Sequence, residues 1–271
     1  MGARQIDTGT EGLRAHTEDG VATLRIDRPQ ARGALTAAMW AAIPGILATF
    51  AHDPDTSVLV LTGTDGVFSA GADIHELLDH YATAEAADAY HALSAAAEQA
   101  LAAFPKPTIA LISGACVGGG CQLATACDLR FADETARLGI TPAKLGIVYD
   151  AVSTRRTAAL VGASAAKYLL FSGELIDAAH ALRIGLLDQL WDRDEAPQRA
   201  YDFARTVASR SQLTVRAAKD LIDAPSLDLA RVRAWEQASR TSSDVREGLA
   251  AFIERRAPHF TWNGGAPSGA V

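Results

Sequence analysis

Two glycine-containing loops carry the clearest chemical signal in the sequence. The first is Phe68-Ser69-Ala70-Gly71-Ala72-Asp73-Ile74 and the second is Ser113-Gly114-Ala115-Cys116-Val117-Gly118-Gly119-Gly120-Cys121-Gln122-Leu123. Each follows a short apolar run suited to a buried strand, VLVLT at 58–62 and TIALI at 108–112, and each leads into a stretch of helical character. A helix start presents unpaired N–H groups and a partial positive charge, and glycine lets a ligand approach that backbone closely. Two such starts aimed at one point would form an oxyanion hole, in which a single donor is typically worth ~2.7–4 kcal/mol of transition-state stabilisation. Taken alone, the triple glycine also suits a tight strand-to-helix turn. Gly114, Gly118, Gly119 and Gly120 do not give the GxGxxG spacing of a dinucleotide site.

The elements that must position these loops follow from periodicity. Residues 21–26 alternate apolar with polar, and 58–62 and 108–112 are continuous apolar runs. Helical patterns cover 37–50 and 84–104, the second stopped by Pro105 and Pro107. Strands alternating with helices of this length predict an α/β fold with crossover connections. From about residue 196 the strand signal disappears, and 201–209, 214–222 and 244–256 read as helices. The expected division is a core over 1–195, a helical C-terminal subdomain over 196–262, and a loose tail of linker composition over 263–271.

Composition narrows the function classes. The chain has 271 residues, 49% hydrophobic and 21% charged, which is enough apolar material for a large core. Its 25 Lys plus Arg against 32 Asp plus Glu leave a net charge of −7, so no broad positive field would attract nucleic acid. Cys116, Cys121 and Cys127 are odd in number, lack CxxC spacing and sit among small apolar residues; buried free thiols are expected, and no metal site. No segment reaches the ~18 apolar residues of a membrane span, and residues 1–7 lack a signal-peptide pattern, so no membrane partner and a cytoplasmic location are expected.

The segments SAGADI and GxxxGGGCxLxxxCD, about forty residues apart, resemble the two signature loops of the crotonase (enoyl-CoA hydratase/isomerase) superfamily. The likeness extends to Asp27-Arg28-Pro29 and Ala34-Leu35, to Phe171-Ser172-Gly173 and Ala181-Leu182-Arg183-Ile184-Gly185-Leu186, and to Glu247-Gly248-Leu249-Ala250-Ala251-Phe252. The resemblance implies a crotonase-like spiral of ββα units, an acyl-CoA substrate in fatty acid metabolism with CoA as part of the substrate and no separate cofactor, and assembly as a homotrimer or dimer of trimers. It places the oxyanion donors on the backbone N–H groups of Ala72 and Gly119. It also implies that Ala70, Asp73 and Ile74 border the CoA adenine, and that Arg28 and Arg32 lie near the nucleotide phosphates; read without the family, the two arginines are solvated surface residues.

The sequence departs from the hydratases of that family where proton transfer is needed. The first of their two glutamates aligns with Gln122, whose amide cannot shuttle a proton, and the second with Pro142, which offers neither acid nor base. Thr141-Pro142, Leu145-Gly146 and Tyr149 resemble the methylmalonyl-CoA decarboxylase branch, as does Ile74-His75-Glu76-Leu77. Decarboxylation of a malonyl-type thioester needs no base to create the enolate, so Ala72, Gly119 and Tyr149 could supply most of it. Asp150 is open to two readings, a catalytic acid, base or nucleophile on one side and a structural carboxylate on the other. Gln122 either hydrogen-bonds the substrate or simply packs. His75, His80 and His91 are weaker candidates, and Arg156 either caps a helix or reaches a phosphate. The expected activity is an acyl-CoA lyase of the decarboxylase type. An unconventional hydratase or isomerase and a non-catalytic acyl-CoA-binding subunit are the alternatives.

Overall fold

The computed structural model describes residues 2–264. In chain order the strands are β1 (Arg4–Ile6), β2 (Leu13–Glu18), β3 (Val21–Ile26), β4 (Val58–Thr62), β5 (Thr108–Ile112), β6 (Ala115–Val117), β7 (Leu129–Asp133), β8 (Arg137–Gly139), β9 (Ile176–Asp177) and β10 (Gln189–Trp191). The helices are α1 (Ala37–His52), α2 (Ile74–His80), α3 (Ala84–Ala102), α4 (Gly119–Ala126), α5 (Ala151–Ser172), α6 (Ala178–Arg183), α7 (Ala196–Ala208), α8 (Gln212–Asp223), α9 (Leu229–Thr241) and α10 (Asp244–Glu254).

Seven strands form one sheet in the order β1-β2-β3-β4-β5-β7-β10. The first two pairings are antiparallel, and from β3 onward every neighbour is parallel. A parallel sheet requires crossovers and buries both faces, which explains why every residue of β4 and β5 is buried. Side chains then divide by the two-residue period. Leu24, Leu59, Leu61, Ala110 and Ile112 face α1 and α3, joining Trp40, Ile43, Leu47 and Phe50 in the main core. Val21, Val58, Val60, Ile109 and Leu111 face the other way and pack on Ala196, Ala200 and Ala204 of α7. The mostly parallel α/β architecture expected from the sequence is therefore the one observed.

A second sheet, β6-β8-β9, stands beside the first and carries the chain into the site. Helices α8 to α10 form the C-terminal part, where Trp235 is buried beside Leu213 and the Trp262 ring lies 6.3 Å from it. Of the tail expected to be loose, residues 265–271 lie outside the described residues. Cys116, Cys121 and Cys127 are buried free thiols. No helix among the described residues is long and apolar enough to cross a membrane.

Candidate active site

The two glycine loops are stitched together backbone to backbone. Ser69 N–H donates to Ala115 C=O (2.8 Å) and Val117 N–H to Ser69 C=O (2.9 Å), which makes the first loop a continuation of β6. On its other side Leu35 N–H donates to Gly71 C=O (2.8 Å) and Asp73 N–H to Leu35 C=O (2.9 Å). The bridge at Leu35 skips the amide of Ala72, which has no acceptor among the described residues. Gly119 opens α4 and its amide is free by position, since the first helical bond runs from Gln122 N–H to Gly118 C=O (2.9 Å).

Glycine is required here for proximity. A Cβ on Gly71, whose φ is +97°, would sit 2.7 Å from Val117 O and 3.2 Å from Gly119 N. A Cβ on Gly119 would meet the Trp40 ring at 2.9 Å and Ala72 N at 3.6 Å. The Ala72 and Gly119 amides are thus neighbours, and both border a cavity of about 690 Å³. This is the arrangement expected of an oxyanion hole.

One wall of the cavity follows from the second loop and includes Gln122, Pro142, Tyr149 and Asp150. Gln122 is buried, and its Nε2 donates to Glu98 Oε2 at 2.6 Å. Glu98 is only 1% exposed. It also accepts from the Ser153 hydroxyl and forms an ion pair with Arg156, so the carboxylate is held on three sides. The sequence reading missed Glu98 and Ser153, and Arg156 reaches a carboxylate instead of a phosphate. A signal for Glu98 was present, since it stands three residues before Leu101 and four after Ser94, placing a carboxylate on the inward stripe of α3.

Asp150 serves as the N-cap of α5. Its Oδ1 accepts from Val152 N–H (2.8 Å) and Ser153 N–H (3.0 Å). A carboxylate at a helix start is favoured by the free N–H groups and the helix dipole. Tyr149 borders the cavity, and its hydroxyl is shielded from solvent. Burial, followed by the neighbouring Cys121 and Cys116 thiols, pushes that phenol well above its ordinary value, so it stays protonated.

The opposite wall comes from α2, α3 and the turn between them, and the sequence had offered Ile74 and His91 from it. Tyr81, Asp88, His91 and Ser94 border the cavity there. Tyr81 hydroxyl and His91 Nε2 are 2.5 Å apart. Deeper in, Tyr90 receives a hydrogen bond from Trp40 Nε1 (3.1 Å), and burial pushes its phenol up to about 12. His75 and His80 are not among the lining residues. His80 instead packs on the Tyr90 ring at 4.9 Å.

Ala70 and Ile74 lie at the cavity, with Ile74 exposed, whereas Asp73 turns aside to cap α2. Asp73 Oδ2 accepts from Arg28 Nη1 at 3.0 Å. Burial opposes ionisation of Asp73, but the Arg28 bond and the Glu76 and His75 amides outweigh it and hold the carboxyl below its usual range. Arg28 also donates to Ala34 C=O (2.8 Å), while Arg32 is exposed beside it in the left-handed region at φ 51°.

Comparison with known proteins places this fold and its paired amides in a family. The profile described as enoyl-CoA hydratase/isomerase matches residues 16–263, and the chain belongs to that family. A probable enoyl-CoA hydratase of Mycobacterium tuberculosis is 33% identical over 256 residues, covering 93% of this chain and 98% of that protein. The 2,3-dehydroadipyl-CoA hydratase of Escherichia coli is 35% identical over 245 residues, covering 89% of this chain and 94% of that one. Among solved structures, an enoyl-CoA hydratase/isomerase family protein from Hyphomonas neptunium superposes with a TM-score of 0.89 at 39% identity, covering 94% of this chain and 100% of that one.

Proposed function

We propose that this member of the enoyl-CoA hydratase/isomerase family is an acyl-CoA lyase that decarboxylates a short malonyl-type thioester. The observation that carries the reading is the pairing of two free amides, Ala72 and Gly119, with a cavity wall whose side chains are unsuited to base catalysis. Gln122 and Pro142 cannot move a proton, Glu98 is locked by three partners, and Asp150 is engaged by the α5 terminus.

In the proposed step the bond between the α-carbon and the substrate carboxylate breaks. Its electron pair passes into the thioester to form the enolate, carbon dioxide leaves, and the two amides bind the oxygen on which charge collects. The α-carbon then takes a proton from water. Tyr149 contributes its ring to the acyl pocket and a hydroxyl that stays neutral. The CoA portion runs past Ala70 and Ile74, with exposed Arg32 toward the phosphates and the Arg28–Asp73 pair bracing the loop.

Purified protein incubated separately with methylmalonyl-CoA and crotonyl-CoA tests this. Carbon dioxide release from the first with negligible hydration of the second is expected, and conventional hydration rates would overturn it. The second reading is hydration or isomerisation by an unconventional acid or base. It is favoured by the names of the relatives, all hydratases, and by the placement of His91 with Tyr81 and of Asp150 at the cavity. Hydration that Asp150→Asn or His91→Asn abolishes would establish it.

A further inference from the structure

We infer that Trp40 is a positioning residue that sets the spacing of the Ala72 and Gly119 amides, and that its hydrogen bond to Tyr90 fixes the ring that does so. This rests on the reading of those amides as the donors to the thioester oxygen.

The two amides lie on separate loops, and one short segment touches both. Leu35 pairs with Ala72 as a parallel bridge, donating to Gly71 C=O at 2.8 Å and accepting from Asp73 N–H at 2.9 Å. One turn into the helix that follows, Trp40 presents its ring to the second loop. A Cβ placed on Gly119 would stand 2.9 Å from Trp40 Cζ2 and 3.3 Å from Cη2, so the backbone of Gly119 has no room to sink toward α1. The first turn of α1 is itself held at its start, where Thr36 Oγ1 accepts from Met39 N–H at 3.2 Å and Glu76 Oε2 from Ala37 N–H at 2.7 Å. Leu35 and Trp40, both buried, thus act as the two ends of one spacer.

An indole ring can swing about its side-chain torsions unless its N–H is anchored, and a buried N–H that loses its acceptor is costly. Trp40 Nε1 donates to the Tyr90 hydroxyl at 3.1 Å, and Tyr90 is buried on α3 with its ring against His80 at 4.9 Å. With the ring held at Nε1, the adjoining Cζ2 and Cη2 stay beneath Gly119. Oxyanion donors act through placement, and a displacement of about 1 Å can cost about a hundredfold in rate. Trp40 therefore acts through Gly119, and Tyr90 acts through Trp40.

The test reads the thioester carbonyl directly. Butyryl-CoA labelled at the thioester carbonyl carbon is bound to the native protein, to Tyr90→Phe and to Trp40→Phe, and its carbonyl stretch is followed by isotope-edited infrared spectroscopy. Binding to the native protein is expected to lower the stretching frequency, because two N–H donors polarise the bond. Tyr90→Phe, which removes only the hydroxyl, is expected to lose part of that shift. Trp40→Phe, which also removes the atoms beneath Gly119, is expected to lose more. CoA without an acyl group is expected to bind all three proteins equally, since it has no carbonyl to place. Should Trp40→Phe fail to fold, Tyr90→Phe decides alone. A full native shift in the variants, or a lost shift matched by an equal loss of CoA binding, would overturn the inference. Butyryl-CoA bound to the native protein with an unshifted carbonyl would instead remove the reading of the two amides.

Discussion

The two halves of the cavity are built from different materials. One half is backbone, with the Ala72 and Gly119 amides held by strand bridges and by glycines at which an added Cβ would clash, at less than 3 Å, with a neighbour. The other half is side chain, and there Gln122 is backed by Glu98, Ser153 and Arg156 through hydrogen bonds and an ion pair. Backbone donors depend on the fold and on the absence of side chains, so they persist while the sequence around them changes. Side-chain chemistry can be exchanged one residue at a time, which is why the same scaffold can serve more than one reaction on the same thioester.

The contrast can be broken most severely on the backbone side. Gly119→Pro removes one of the two N–H groups proposed to bind the thioester oxygen, at the first position of α4, a place where proline suits a helix, although its ring must displace Trp40. Turnover of whichever thioester proves to be the substrate is expected to fall about 100- to 1000-fold. Steady-state kinetics beside a circular dichroism spectrum checks that the loss is chemical.

On the side-chain side, Glu98→Leu leaves Arg156 without its carboxylate partner and Gln122 Nε2 without its acceptor, while the Ser153 hydroxyl keeps only Asp150 Oδ1. Urea unfolding is expected to show a loss of about 3 kcal/mol, set by the uncompensated charge. A smaller effect separates the two readings of Asp150. Asp150→Ala is expected to cost about 1 kcal/mol through loss of the α5 cap, and Asp150→Asn to restore that stability because asparagine caps equally well. If Asp150 acts only as a cap, turnover of the Asn variant follows the native protein; a selective loss of turnover with stability intact would show a chemical role.

The smallest effect concerns the brace beneath the first loop. The folded carboxyl of Asp73 is held below its unfolded value by Arg28, so the contribution of that pair is fully present above the unfolded value of about 4 and is lost as pH falls through the folded one. Asp73→Asn is therefore expected to flatten the acid side of the stability profile below about pH 4 and to leave neutral stability little changed beyond the pair itself. Thermal melts at stepped pH values measure it.

Much of the fold was legible because its signals are local. Strands β3, β4 and β5 fall on the runs at 21–26, 58–62 and 108–112, and α3 stops just before Pro105 as its sequence requires. The paired loops could be read too, since strand, glycine and helix start are adjacent in sequence. The pieces that escaped are those whose meaning is not local. β1 is a short, polar edge strand with little burial to mark it, and β6, β8 and β9 span only two or three residues each. Gln122, Ser153 and Arg156 meet Glu98 across separations of 24 to 58 residues, and nothing within any one helix shows that they converge.

By itself the sequence determined that this chain builds parallel α/β layers and carries two amide-presenting turns, because apolar periodicity and glycine placement act over a few residues. Only the tertiary structure decided that the amides of Ala72 and Gly119 stand side by side, that Asp150 caps a helix, and that a buried glutamate holds the side-chain nitrogen of Gln122. Those outcomes depend on burial and charge pairing between distant elements, and such terms exist only once the chain has folded.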